Sequence, residues 1–295
     1  MQEKYELLRK KHPVFVYESF DIEEHTDKLV IRYNFKLGDF FFRPQWEFAK
    51  KHFDIDYKQE DIFRKLVFNL GMVELISYWK CACPPTVIIK AGYLDKEQIQ
   101  WWKRQYYLGL GEFFHTNRIN ASIQDFMEIE VSAEPETLSY NNAVFDKSGC
   151  LIPIGGGKDS IVTMELLSHI KENNLCFMIN KRETSIQCAK IAGYLDDEIL
   201  IVKRSLDKTL IELNKEGYLN GHTPFSAIVA FSSVLTAYLH DKKYVVLSNE
   251  ASANESTVEG TEVNHQYSKT FKFEMDFIKY ERKYINSGVH YFNLL

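Results

Sequence analysis

No two cysteines in this sequence stand in a C-x-x-C spacing, and the five present (Cys81, Cys83, Cys150, Cys176 and Cys188) make an odd number. That pattern argues against a disulfide framework and points to a reducing compartment. Cys81 and Cys83 are too close together for the usual structural zinc pair, and no second pair accompanies them. Positive charge is also in short supply, with 36 Lys and Arg against 41 Asp and Glu and a formal net charge of −5. A nucleic-acid partner held by a broad basic surface is therefore not expected, and a small-molecule substrate is. No apolar run approaches a membrane span, and Met1-Gln2-Glu3-Lys4-Tyr5-Glu6 lacks the hydrophobic stretch of a secretory signal. These absences lead to an expectation of a cytoplasmic protein with no membrane partner. Internal repeats and low-complexity linkers are absent as well, and nothing indicates an obligate protein partner.

What is present is enough apolar material, 45% of 295 residues, for one large core or two modest ones. The pattern changes near residue 147. Before it, Val14–Glu18, Lys28–Leu37 and Asp39–Phe42 read as short strands, followed by helical periodicity over about 60–80 and 94–114. After it, strands and helices alternate: strand 150–154, a helix from about 160, strand Leu175–Asn180, helix 184–193, strand Glu198–Lys203 and helix 206–216. A further helix is expected to start with Thr223 as N-cap and Pro224 in the first position, leading to strand Tyr244–Asn249. The fold class expected is α/β: a doubly wound parallel sheet over 147–295, preceded by a smaller α+β domain over 1–146 on the substrate side.

The most informative segment is Cys150-Leu151-Ile152-Pro153-Ile154-Gly155-Gly156-Gly157-Lys158-Asp159-Ser160. An apolar strand runs through three glycines into a helix start. Glycines let backbone N–H groups approach an anion, the helix adds roughly half a positive charge at its N-terminus, and Lys158 adds a full one. The spacing is not G-x-x-x-x-G-K-[ST], so a different nucleotide loop is implied. The plainer alternative is a glycine-rich turn of any α/β protein. The loop resembles the PP-loop of the N-type ATP pyrophosphatases, S-G-G-x-D-S, which have a HUP-like sheet and split ATP into AMP and pyrophosphate. Gly156 to Ser160 match, while Gly155 stands where most of that superfamily has serine.

In a sheet of this kind ligands sit beyond the carboxyl ends of the strands. That placement adds Asn180, Lys181 and Arg182, then Lys203 and Arg204, then Asn249 and Glu250; the basic pairs suit phosphates or carboxylates, or are simply solvated. The segment from Asn249 to Glu255 and on from Gly260 to Lys269 is rich in polar side chains, including Asn254, Asn264, His265, Tyr267 and Lys269. A loop of that length and chemistry reads as functional. His222 fits a cap-region residue or a substrate contact. Trp79, Trp101, Trp102, Tyr106 and Tyr107 fit packed core better than stacking on a base, and Lys80 or Arg104 meeting a diphosphate is the weaker reading. The run Arg9-Lys10-Lys11-His12 reads as a solvated helix end.

Asn220-Gly221-His222-Thr223-Pro224-Phe225-Ser226-Ala227, Leu247 to Glu255, Glu262 to Lys269, Ser77-Tyr78-Trp79-Lys80 and Tyr106 to Phe113 are together similar to the family of UDP-N-acetylmuramoyl-L-alanyl-L-glutamate epimerases, MurL type. The resemblance implies ATP-dependent inversion of a terminal glutamate in a UDP-muramoyl dipeptide, a step of peptidoglycan precursor synthesis. ATP and Mg²⁺ would be required. It implies ATP contacts at Gly155, Gly156, Gly157, Lys158, Asp159, Ser160, Asn180, Arg182 and Asn249, with Asp159 toward Mg²⁺. Lys158 and Asp159 would act at the phosphates, and Glu250, His265, Tyr267 and Lys269 are candidates for proton transfer. Lys203, Arg204, His222, Asn254 and Asn264 would meet substrate. The family also implies a portion beyond Leu295 with a tryptophan–cysteine and a C-P-x-C segment, so a truncated chain is expected. Other functions that use the same loop are amide ligation, modification of tRNA or nucleosides, and nucleotide binding without catalysis.

Overall fold

The computed structural model describes residues 1–50, 61–135, 147–249 and 267–294. The N-terminal half runs α1 (Gln2–Lys11), β1 (Val14–Glu24), β2 (Lys28–Leu37), β3 (Phe40–Phe42), β4 (Gln45–Ala49), α2 (Asp61–Trp79), β5 (Thr86–Ile89), α3 (Lys96–Gly109), α4 (Gly111–Thr116) and β6 (Glu128–Val131). The C-terminal half runs β7 (Cys150–Pro153), α5 (Lys158–Leu166), β8 (Leu175–Ile179), α6 (Glu183–Ile191), β9 (Ile199–Ser205), α7 (Lys208–Lys215), α8 (Phe225–Leu239), β10 (Tyr244–Leu247), α9 (Phe271–Tyr280) and β11 (His290–Asn293).

Among the described residues the strands form one eleven-stranded sheet in the order β11-β10-β7-β8-β9-β4-β2-β1-β5-β6, with β3 on β2. The expected parallel sheet is the five-strand portion β11 to β9; the whole is mixed. Strand β4 pairs antiparallel with β9 through Gln45↔Ser205, Trp46↔Arg204 and Glu47↔Lys203, so the sheet continues across the 146/147 boundary. Counting directions from β9 through β4 and β2 to β1 reverses the chain three times, and β5 and β6 follow β1 in parallel. The two parallel groups therefore run in opposite senses.

Side chains alternate faces along a strand, and the packing follows that period. Leu151, Phe177, Leu200, Val202 and Val245 join the core with α2, α8 and α9. Cys150, Ile152, Cys176, Met178 and Val246 face the other way, onto Met164 of α5 and Ile186 and Ala189 of α6. Helices thus cover both faces. The larger core includes buried residues from β1, β2 and β4 as well, so the two halves share it. Each fully buried large aliphatic or aromatic side chain contributes about 1.5–3 kcal/mol, which makes this shared core the main tie between halves.

Three local expectations are corrected. The helix expected over 94–114 is two, with an Asp95–Gln98 capping box opening α3 and a break at Leu110. Helix α8 begins at Phe225 with Pro224 as its N-cap residue and no side-chain cap bond, while the Thr223 hydroxyl accepts from Lys80. The Arg9–His12 run is not merely solvated: the Arg9 guanidinium donates to the carbonyls of Cys83 and Phe126 at 2.6 and 2.7 Å, and His12 is buried. All five cysteines are free thiols, with Cys81 and Cys83 fully buried. No helix of the described residues is long and apolar enough to cross a membrane.

Candidate functional site

The strand order reverses at β7, which has β8 on one side and β10 on the other. Crevices form at such a reversal because the connections leave to opposite faces. A cleft of about 350 Å³ lies there, lined by the loop after β7, the end of β8, the end of β10 and the first turn of α8. Helices α5 and α8 place first-turn residues on its lining, Asp159 and Ser160 from one and Phe225 and Ser226 from the other, and α6 places its N-cap residue Arg182 there. Its walls are apolar at Ile154, Phe177, Ile179, Phe225, Val229 and Leu247, while Gly155, Gly157, Asp159, Ser160, Arg182 and Asn249 supply the polar lining.

The three glycines differ. Gly156 has φ +79°, a left-handed backbone that L side chains avoid, and a Cβ there would lie 3.0 Å from Ser185 Oγ and 3.1 Å from Thr184 Oγ1. At Gly155 and Gly157 a Cβ would meet nothing within 4 Å, so those two face open space. Gly157 is the N-cap residue of α5 in extended conformation, and the buried Ser160 hydroxyl donates to Gly157 O at 2.9 Å, closing the turn. The fold thus holds the middle glycine tightly and leaves its neighbours open toward the cleft. Thr184 and Ser185 were missed in the sequence; Ser185 is fully buried, its hydroxyl without a hydrogen-bond partner among the described residues. Hydroxyls in the first turn after β8 were the signal that marked them.

Other predicted positions divide. Arg182 lines the cleft from the N-terminus of α6, and Asn249 from the end of β10. The Asn249 backbone is clamped by Asn293 of β11, whose side chain accepts from Asn249 N at 2.6 Å and donates to Asn249 O at 2.7 Å. Asn180, also left-handed at φ +59°, does not line the cleft: its side chain bonds Arg204 N and O at 2.9 and 3.1 Å and ties β8 to β9. Arg204 is likewise committed. Its guanidinium makes two 2.8 Å bonds to the buried Glu74 carboxylate and one of 3.0 Å to Ser77, while Trp46 Nε1 donates to Glu74 at 3.2 Å. Lys203 is an exposed partner of Glu47 at 3.1 Å.

Tyr267 is also away from the cleft. Its hydroxyl donates to Gln105 at 3.0 Å inside a small cavity, and burial pushes it up to about 12. Lys269 is exposed on the adjoining turn and does not line the cleft. Glu250, Asn254, Asn264 and His265 lie outside the described residues. His222 Nδ1 is 3.2 Å from Glu112 of α4. Trp79, Trp102 and Tyr106 are core, and Arg104 pairs with Asp276 at 3.1 Å.

Three of the strings that carry the family resemblance, those holding Lys80, Gly109 and Asn220–Ala227, meet one another. Lys80 donates to the carbonyl of Gly221 and to Thr223 Oγ1 at 2.5 Å, with His222 O at 3.5 Å. Asn117 donates to Asn220 O at 3.0 Å. Gly109 lies so close to Pro224 that a Cβ would stand 2.9 Å from its ring, which explains a glycine near the end of a helix.

Fold and cleft together define an α/β protein with a glycine loop opening onto a cleft at a topological switch point. The chain belongs to the MurL N-terminal domain family, whose model matches residues 7–294. It is 34% identical over 228 residues, 77% of this chain and 49% of the relative, to a UDP-N-acetyl-alpha-D-muramoyl-L-alanyl-L-glutamate epimerase of Xanthomonas oryzae pv. oryzae. Epimerases of the same name from a Micromonospora species and from Salinispora tropica are each 31% identical over 207 residues, 70% of this chain and 45% and 44% of theirs. The chain thus spans about half the length of the curated relatives it matches. No solved structure matches it significantly.

Proposed function

We propose that this chain is the ATP-handling portion of an epimerase that inverts the terminal L-glutamate of UDP-N-acetylmuramoyl-L-alanyl-L-glutamate in peptidoglycan precursor synthesis. The observation that carries the reading is the loop at the switch point, with Gly155 and Gly157 open to a cleft and a helix starting directly behind them. The placement and lining fit a nucleoside triphosphate: apolar walls for a base, backbone N–H groups and Arg182 for phosphates.

Removing the α-proton of a glutamate beside its ionised carboxylate builds negative charge on negative charge. Masking that charge solves the problem. A carboxylate oxygen attacks the α-phosphorus of ATP, the bond to pyrophosphate breaks, and the resulting acyl adenylate carries a neutral carbonyl whose α-proton is far more acidic. A base takes that proton from one face, an acid returns one from the other, and water at the carbonyl releases AMP and the D-glutamyl product. Gly155, Gly156 and Gly157 with the first turn of α5 hold the departing pyrophosphate, and Lys158 offsets its charge.

Mg²⁺ would supply charge neutralisation on the phosphates, and Asp159 is the carboxylate at the cleft suited to hold it. Among the described residues no three His, Cys, Asp or Glu side chains are grouped to hold a metal. One or two carboxylates plus phosphates is the usual pattern for this ion. Proton transfer is assigned to Glu250 and His265, with Lys269 as a further candidate. Tyr267 is withdrawn from that role by its burial and its bond to Gln105.

The test is incubation with Mg–ATP and the L,L-dipeptide substrate, following AMP and the chirality of the released glutamate. AMP with D-glutamate is expected. AMP without inversion would redirect the reading to another adenylating enzyme, and bound ATP without AMP would favour a nucleotide-binding role. Lys158→Ala is expected to abolish AMP formation; full AMP release in that variant would remove the loop assignment.

A further inference from the structure

We propose that Lys80 is a positioning residue of the cleft, acting through the Gly221–Thr223 loop on the first turn of α8; the proposal rests on the cleft taking ATP. Lys80 follows the end of α2 and is 6% exposed. Its ammonium is met by three neutral oxygens of one loop, those of Gly221, His222 and Thr223, and by no carboxylate among the described residues. A buried charge without a counter-ion is held in place only if its donors are met by well-placed acceptors, and here all the acceptors belong to the segment that leads into α8.

That segment continues directly to Pro224, and Phe225, Ser226 and Val229 form one wall of the cleft. Gly109 packs against Pro224, so the loop has a fixed point on one side and the ammonium on the other. Loss of the proton on Lys80 removes a donor and the charge that strengthens the remaining bonds, so the α8 wall is less well held.

Burial holds the amine down at about 8, with Arg204 of β9 acting in the same direction and the thiols of Cys81 and Cys83 opposing. The other charged groups nearby are Glu74 of α2, which is paired with Arg204, and Glu112 of α4, which faces His222. None of these carboxylates is bonded to Lys80.

The experiment is Mg–ATP affinity of the 295-residue chain, by calorimetry, across the alkaline range, with conformational stability measured in parallel by denaturant. Wild-type affinity is expected to fall as pH rises through about 8, by roughly tenfold, the value of one charge-assisted hydrogen bond. Stability from the same residue rises over that range, because the folded amine sheds its proton before the unfolded one does. Lys80→Met should bind weakly with a flat profile. Thr223→Val keeps the lysine but removes one acceptor of the charged form, so its affinity should fall at lower pH than wild type. A flat wild-type profile, a parallel fall in Lys80→Met, or an unmoved midpoint in Thr223→Val would each overturn the proposal. A wild-type chain that binds no Mg–ATP at any pH would instead overturn the reading of the cleft itself, and this proposal with it.

Discussion

Arg204 of β9 bonds to the C-terminal part of α2, Lys80 directly follows that helix, and both are largely buried, yet they are held in opposite ways. Arg204 meets Glu74 in a two-bond ion pair that also collects Ser77 and Trp46. Burial works against its charge, but the Glu74 carboxylate more than offsets it and raises the guanidinium. Among the described residues Lys80 has no such partner, and burial lowers it. The first is a permanent tie between β9, β4 and α2; the second holds a loop beside the cleft and titrates at mildly alkaline pH. The same helix end therefore lies beside a structural cation, held by its Glu74, and an adjustable one.

The largest effect that would break this comparison is Glu74→Ala. Removing one partner of a buried pair leaves the other charge uncompensated, so a loss of about 3–5 kcal/mol is expected in denaturant unfolding. A loss below about 1 kcal/mol would mean that the pair is not the tie described.

Next comes the pH dependence of Lys80. Its folded value of about 8 lies below the ordinary 10.5. Below pH 8 both states are protonated and the full burial penalty stands; between the two values the unfolded chain holds the extra proton, so stability rises with pH by up to about 3 kcal/mol. The buried thiols of Cys81, Cys83 and Cys176 are pushed up by burial and pull the other way. The difference between wild type and Lys80→Met, titrated side by side, isolates the lysine. A difference that does not change with pH would show that the amine is not buried as charge.

The glycine loop offers a sharper contrast at smaller cost. Gly156→Ala is expected to lose about 1–2 kcal/mol, from its left-handed backbone and the close Ser185. Gly155→Ala and Gly157→Ala should stay within about 0.5 kcal/mol in stability while weakening nucleotide binding, because their open faces are where an anion would approach. Equal destabilisation by all three would contradict the tight-middle, open-flank geometry. At the bottom of the range, Lys203→Ala, which removes an exposed partner of Glu47, should move stability by no more than about 0.5 kcal/mol by thermal unfolding.

How far the site was legible depends on how local its cause is. The Gly155–Ser160 loop could be read because strand, glycines and helix start are consecutive, and a backbone phosphate cradle needs nothing from elsewhere in the chain. Arg182 and Asn249 followed from the general position of ligands at strand ends. Asn180 and Arg204 satisfied the same rule yet point to neighbours, because which way a side chain turns depends on what packs beside its strand. Strands β5 and β6, at four residues each, carry too few alternations to be distinguished by period. Thr223 looked like a helix cap until a lysine 143 positions away took its hydroxyl.

The alternating α/β character after residue 147, the glycine loop, and the apolar pattern that packs both faces of the five parallel strands were already written in the order of residues, since all three are set by neighbours along the chain. That β4 closes onto β9 to make one sheet of both halves, that Glu74 claims Arg204, and that Lys80 holds the loop before α8 came from the folded packing alone. Those choices depend on burial and on contacts between residues more than a hundred positions apart, where the cost of an unpaired charge is settled by whatever group the fold brings near it.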